Sequence, residues 1–124
     1  MMITDVITAN PKQKTREIIR ILYEKHVGSV ISVNANKKCI GLFTERDALR
    51  IIAKGVNLDQ PLEDVMTKNV ITIHEEATIN ELRQIIRTHK IRHIPVVDQD
   101  NTLVGLLSVR ALQDQIFGLN SEIC

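Results

Sequence analysis

Residues 41–49 read GLFTERDAL, and residues 105–113 read GLLSVRALQ. Each runs from a glycine through apolar residues to a hydroxyl (Thr44, Ser108), with an arginine two positions later (Arg46, Arg110). The stretches lie 64 positions apart, and sliding the whole chain by that distance sets residues 2–54 on residues 66–118 without a gap. Identities then fall at Met2/Met66, Val6/Val70, Ile7/Ile71, Thr8/Thr72, Glu17/Glu81, Ile21/Ile85, Val33/Val97, Gly41/Gly105, Leu42/Leu106, Arg46/Arg110 and Ile52/Ile116. Most other aligned positions keep their apolar or polar character. A gap-free register over a full unit marks an internal duplication.

Each copy gives the same secondary-structure reading. A β-branched extended segment (DVITA, NVITI) comes first. A helix follows. In copy two, Thr78 and Glu81 have capping-box spacing, and Ile79, Leu82, Ile85 and Ile86 form one apolar face. In copy one, Ile18, Ile21, Leu22 and Lys25 occupy the matching turns and Thr15 suits the helix start. Two strands come next, GSVISVN with CIGLFT and RHIPVVD with LVGLLS, joined by the turn formers Asn34–Lys37 and Asp98–Asn101. A second helix closes each unit, starting at Thr44 or Ser108 and ending near Gly55 or Gly118. The boundaries are 2–56 for the first repeat, 57–65 for a linker with a helical turn around Leu62–Val65, 66–118 for the second repeat, and 119–124 for a tail. One such unit buries too little apolar surface to stand alone. The expected fold is therefore α+β: one module over residues 1–124, two β-α-β-β-α units related by a pseudo-twofold axis and packed sheet to sheet, with two equivalent clefts.

The bulk numbers exclude several function classes. A chain of 124 residues with 44% hydrophobic and 25% charged residues has ordinary globular composition. Its net charge of +1 and 2% aromatic content give no footprint for nucleic acid. No apolar run reaches membrane-spanning length, and the N-terminus lacks the order of a secretory signal. The two cysteines, Cys39 and Cys124, form no framework and suit the cytoplasm. No Ser/His/Asp order, paired carboxylates or P-loop pattern supports catalysis. His89 and His93 share i, i+4 spacing, but nothing nearby completes a zinc set, so no metal site is expected.

On DVMTKNVITI, HKIRHIPVVD, GLFTERDAL and GLLSVRAL, in that order and duplicated, the chain resembles a tandem pair of cystathionine β-synthase (CBS) domains, a Bateman module. The resemblance covers nearly the whole chain. It implies a regulatory module that binds an adenosine-containing ligand (AMP, ADP, ATP or S-adenosylmethionine), needs no catalytic cofactor, and forms a dimer. The family's ribose-and-phosphate signature is matched in full by Gly41, Thr44 and Asp47. In copy two it meets Gly105 and Ser108, with Ala111 in the acid's place.

Thr44 and Asp47 support two readings. A hydroxyl at a strand-to-helix junction stands beside backbone N–H groups that favour an anion, and an aspartate one turn on can accept both hydroxyls of a ribose. Equally, Thr-x-x-Asp is capping-box spacing, in which the acid bonds back to the cap. The two roles can coexist. Because Ala111 accepts nothing, the two clefts are expected to be unequal, with the Thr44/Asp47 cleft the stronger. Arg46 and Arg110 accompany the two hydroxyls. The resemblance places further contacts on Thr8 and Thr72; on Gly28, Ser29 and Val30; and on Arg92, His93, Ile94 and Pro95, whose basic members would meet phosphate. Plain strand or core roles explain Thr8, Thr72, Val30 and Ile94 as well, and Pro95, without an N–H, reads as a strand edge or start. Uncovered apolar faces on the Leu49/Ile52 and Leu112/Ile116 helices predict a homodimer. With no effector domain in the sequence, output would pass to a separate protein. The competing reading is a structural dimerisation module that binds no small molecule.

Overall fold

A computed structural model describes residues 2, 3 and 6–108. The chain divides into two compact units. One is residues 6–70. The other joins residues 71 onward to the first residues of the chain.

In the unit of residues 6–70, β2 (Thr8–Ala9) runs parallel to β3 (Ser29–Val33), which pairs antiparallel with β4 (Cys39–Thr44). Helix α1 (Thr15–Lys25) and helix α2 (Glu45–Ala53) cover one face. Val30 and Phe43 alternate onto that face and pack with Ile18, Leu22, Ala48 and Ile51. Ile31 is fully buried but lies outside this cluster, as strand alternation requires. Helix α2 ends in a Schellman motif: the N–H of Gly55 bonds to Ile52 O (3.1 Å) and that of Val56 to Ile51 O (3.0 Å). Gly55 takes φ +70°, a conformation that explains the glycine.

In the second unit the sheet order is β1 (Met2–Ile3), β7 (Leu103–Ser108), β6 (His93–Val97), β5 (Ile73–His74). Helix α3 (Ile79–His89) sets Leu82 into a core with Ile73, Ile94 and Val96. The 64-residue offset reproduces α1 as α3, β3 as β6 and β4 as β7, end for end. It also reproduces fine detail. His26 and Lys90 both end a helix at left-handed φ (54° and 51°), Lys37 and Asn101 both turn a hairpin at φ 62° and 66°, and both central strands shift register before their last residue. Asn34 and Asp98 each accept two backbone N–H groups within their turns. The fold is α+β with a duplicated unit, as expected from the repeat.

Three details depart from the sequence reading. The first extended segments shrink to two-residue strands. Thr15 is the first residue of α1, as expected, although Lys14 at the N-cap makes no side-chain bond. Of the Thr78/Glu81 box only one half forms, the Glu81 N–H bonding to Thr78 Oγ1 at 3.1 Å. Pro95 is the third residue of β6, an interior strand. Its counterpart Ile31 donates its N–H to Ile7 O at 3.1 Å, so proline removes that bond, and β5 accordingly joins the sheet only at Ile73. The helix expected after Ser108, with Arg110, Ala111, Leu112, Ile116 and Gly118, lies outside the described residues.

The linker is part of the unit of residues 6–70. A 3₁₀ turn, Leu62–Asp64, buries Leu62 completely. Upstream of it, Gln60 O accepts the N–H (2.9 Å) and the hydroxyl (2.8 Å) of Thr15, and Leu58 O accepts the N–H of Arg16 (2.9 Å). The unpaired donors at the start of α1 are thus met by linker carbonyls rather than by a capping side chain. Downstream, Thr67 exchanges both backbone bonds with Leu42 (2.9 Å each).

Candidate functional site

The end of the β2-β3-β4 sheet brings together five of the residues singled out by sequence. Ser29 opens β3 directly opposite Thr44, which closes β4. The carbonyl of Gly28 accepts the N–H of Glu45 at 3.1 Å, tying the start of α2 to the start of β3. Arg46 and Asp47 follow in the first helical turn.

Thr44 is the N-cap, with extended backbone (φ −113°, ψ 170°). Its Oγ1 accepts the N–H of Asp47 (3.2 Å), while Asp47 Oδ2 accepts both the Thr44 N–H (2.9 Å) and the Thr44 hydroxyl (3.2 Å). This is a complete capping box. Asp47 Oδ1 is differently placed, meeting only Arg50 Nη2 at 3.4 Å among the described residues, and the Asp47 side chain keeps 17% of its exposure. The carboxylate therefore has one oxygen committed to the cap and one turned to a solvent-reachable arginine. Among the first-turn donors, Glu45 and Asp47 are satisfied by protein, and the Arg46 N–H has no partner among the described residues.

Ser29 is 4% exposed, and its Oγ has no hydrogen-bond partner among the described residues. A buried hydroxyl without a partner is uncommon and calls for a missing one. Thr8 is exposed and sits on β2 beside Ile31, two residues along β3 from Ser29. Val30 belongs to the helix-facing core, so its side chain is spent on packing.

In the second unit, Arg92 and His93 occupy the places of Gly28 and Ser29, and His93 pairs with Ser108 as Ser29 does with Thr44. Arg92 is exposed and His93 half-buried. Ile94 is a core residue against Leu82, and Pro95 is fully buried opposite Leu106. Thr72 is half-buried just before β5. Arg110 falls outside the described residues. His89 ends α3 while His93 begins β6, so no helix face carries both.

Sequence reasoning missed two members of the site's surroundings. Arg50 holds the free oxygen of Asp47 and was legible only as an i, i+3 acid–base spacing. Met66 lies over Gly41: a Cβ there would fall on Met66 Sδ, with Met66 Cε 2.6 Å and Cγ 2.9 Å away. The signature glycine is thus a packing requirement of β4 as well as a motif position. Burial pushes the Cys39 thiol up, so a site at the start of β4 would meet a neutral sulfhydryl.

With this geometry in view, comparison with known proteins places the chain. The CBS domain model matches residues 1–54 and again residues 62–118. The chain is 34% identical over 108 residues to an uncharacterised protein of Methanopyrus kandleri, covering 86% of this chain and 55% of that one. It is 34% identical to inosine-5′-monophosphate dehydrogenase of Aquifex aeolicus over 88% of its own length but only 22% of the enzyme's. The chain thus spans about half and about a fifth of these two relatives. Among solved structures, a CBS domain protein from Pyrobaculum aerophilum complexed with AMP superposes with TM-score 0.80 at 28% identity, covering 86% of this chain and 82% of that one. A CBS domain pair in complex with 5′-methylthioadenosine and S-adenosyl-L-methionine superposes with TM-score 0.83 at 26% identity, covering 94% and 95%. By sequence repeat, by fold and by both matched segments, the chain belongs to the CBS domain family, carrying the domain twice.

Proposed function

We propose that the chain is a regulatory module that binds an adenosine-containing ligand at the junction of β3, β4 and α2, and passes that signal to a partner protein in the cytoplasm. The observation that carries this reading is the division of labour within Asp47. The cap consumes Oδ2 and leaves Oδ1, on a partly exposed side chain, to accept a ribose hydroxyl. Around it stand the donor N–H of Arg46 for a phosphate or carboxylate, and the unpartnered hydroxyl of Ser29. Neighbours solved with AMP, and with 5′-methylthioadenosine and S-adenosyl-L-methionine, support the ligand class. Thr8 lies alongside on β2, and Arg92, His93 and Ser108 mark the corresponding place in the second unit, where Ala111 supplies no acid. Ligand binding that favours one arrangement of the protein over another would make it a switch.

One observation favours the second reading, a structural dimerisation module. Thr44 and Asp47 already satisfy each other, so the motif has a complete explanation as a helix cap. Calorimetric titration with AMP, ATP and S-adenosylmethionine separates the two. Binding is expected, and Asp47→Asn, which keeps an acceptor for the cap but removes the charge, should weaken it about tenfold or more. No binding by any of the three, or equal affinity in the variant, would sink the proposed site.

A further inference from the structure

The two repeats differ on one face of their first helices. On α3 the positions Asn80, Arg83, Gln84, Arg87 and Thr88 follow i, i+3, i+4, i+7, i+8 spacing and line a shallow concavity of about 400 Å³. On α1 the equivalent positions are Arg16, Ile19, Arg20, Tyr23 and Glu24. There Arg16 is paired with Asp59 (3.2 Å), Ile19 packs on the core, and Glu24 brings a negative charge. The duplicated unit has therefore replaced a mixed face with one made of guanidinium, amide and hydroxyl groups. The surrounding sequence deepens the contrast. From Leu82 to Val97 no acidic residue occurs, while Arg83, Arg87, Lys90 and Arg92 supply four cations. Arg87, Lys90 and Arg92 are exposed and have no ion-pair partner among the described residues.

We propose that this face of α3 docks an acidic segment of a partner protein. Arginines one turn apart stand about 5–6 Å from each other at Cβ, a spacing that carboxylates along a helix or an extended strand can match. The planar guanidinium fork binds carboxylate through two parallel bonds, and the flanking amides of Asn80 and Gln84 offer further donors. With two arginines on this face, and Lys90 and Arg92 beyond the end of α3, the patch is too small to neutralise a run of duplex phosphates, which favours a short acidic peptide over nucleic acid. The proposal does not depend on nucleotide binding, because no residue of this face belongs to the Thr44/Asp47 junction.

Fluorescence anisotropy with a labelled ten-residue Glu/Asp-rich peptide, a Gln/Asn peptide of equal length and a short DNA duplex tests it on the whole chain. The acidic peptide should bind and the neutral one should not. R83Q/R87Q should weaken binding about tenfold, and the exposed single variant Arg87→Glu by a similar amount, while Arg16→Gln on α1 leaves it unchanged. Circular dichroism melts confirm that the variants are folded. Equal affinity for both peptides, no effect of the α3 substitutions, or tighter binding of duplex than of acidic peptide would overturn the proposal.

Discussion

Asp47 shows how one side chain can serve stability and recognition without conflict, because its two oxygens point at different tasks. Gly41 carries a comparable double duty, reserving space on β4 for Met66 while belonging to the motif. Gly41→Ala should destabilise the protein by about 1–3 kcal/mol, since the new methyl falls on the methionine. In the M66A background the same change should cost far less, and urea denaturation of the four proteins in the cycle measures the coupling. Additive costs would show that Gly41 serves some other purpose. The motif's residues were legible in the sequence; their reasons were not. Spacing offered the Thr44–Asp47 capping box that the structure shows, but a sequence cannot say that a methionine 25 positions later will lie on Gly41. Nor could it say which face Val30 takes, because β3 is buried along nearly its whole length and shows no alternation.

The element that sequence reading understood least is the stretch between the repeats. It reads as a connector because it has no periodicity, yet its carbonyls cap α1 and its buried Leu62 sits in the core. Long-range backbone bonds of this kind leave no pattern in composition. They also engage Thr15, the first residue of α1, whose hydroxyl donates to Gln60 O. Thr15→Val, nearly isosteric, should lower stability by about 1 kcal/mol, seen as a lower urea midpoint with an unchanged slope. Arg16→Ala removes only an exposed pair with Asp59 and should shift the midpoint by less than half as much. Equal effects would mean that the charge pair, not the buried hydroxyl, fastens the segment. The hairpins were read well for the opposite reason: Asn34 and Asp98 act on their own neighbours, so local sequence is sufficient.

At the scale of the molecule, α2 leaves Leu49 and Ile52 uncovered, with 69% and 51% of their surface exposed. Large apolar side chains side by side on one helix favour self-association. Light scattering at micromolar concentration is expected to give a dimer, and Leu49→Asp with Ile52→Asp a monomer of unchanged helix content. A monomeric parent would remove the idea. No helix among the described residues is long and apolar enough to cross a membrane.

The strand pairings carry one more consequence, for how such a protein can be cut. Met2–Ile3 hydrogen-bonds to β7, just as Thr67 does to β4, so each repeat lends its opening residues to the other's sheet. The frame in which the gene doubled is therefore not the frame in which the chain folds. A half excised at the duplication boundary would carry the wrong leading edge and lack its own.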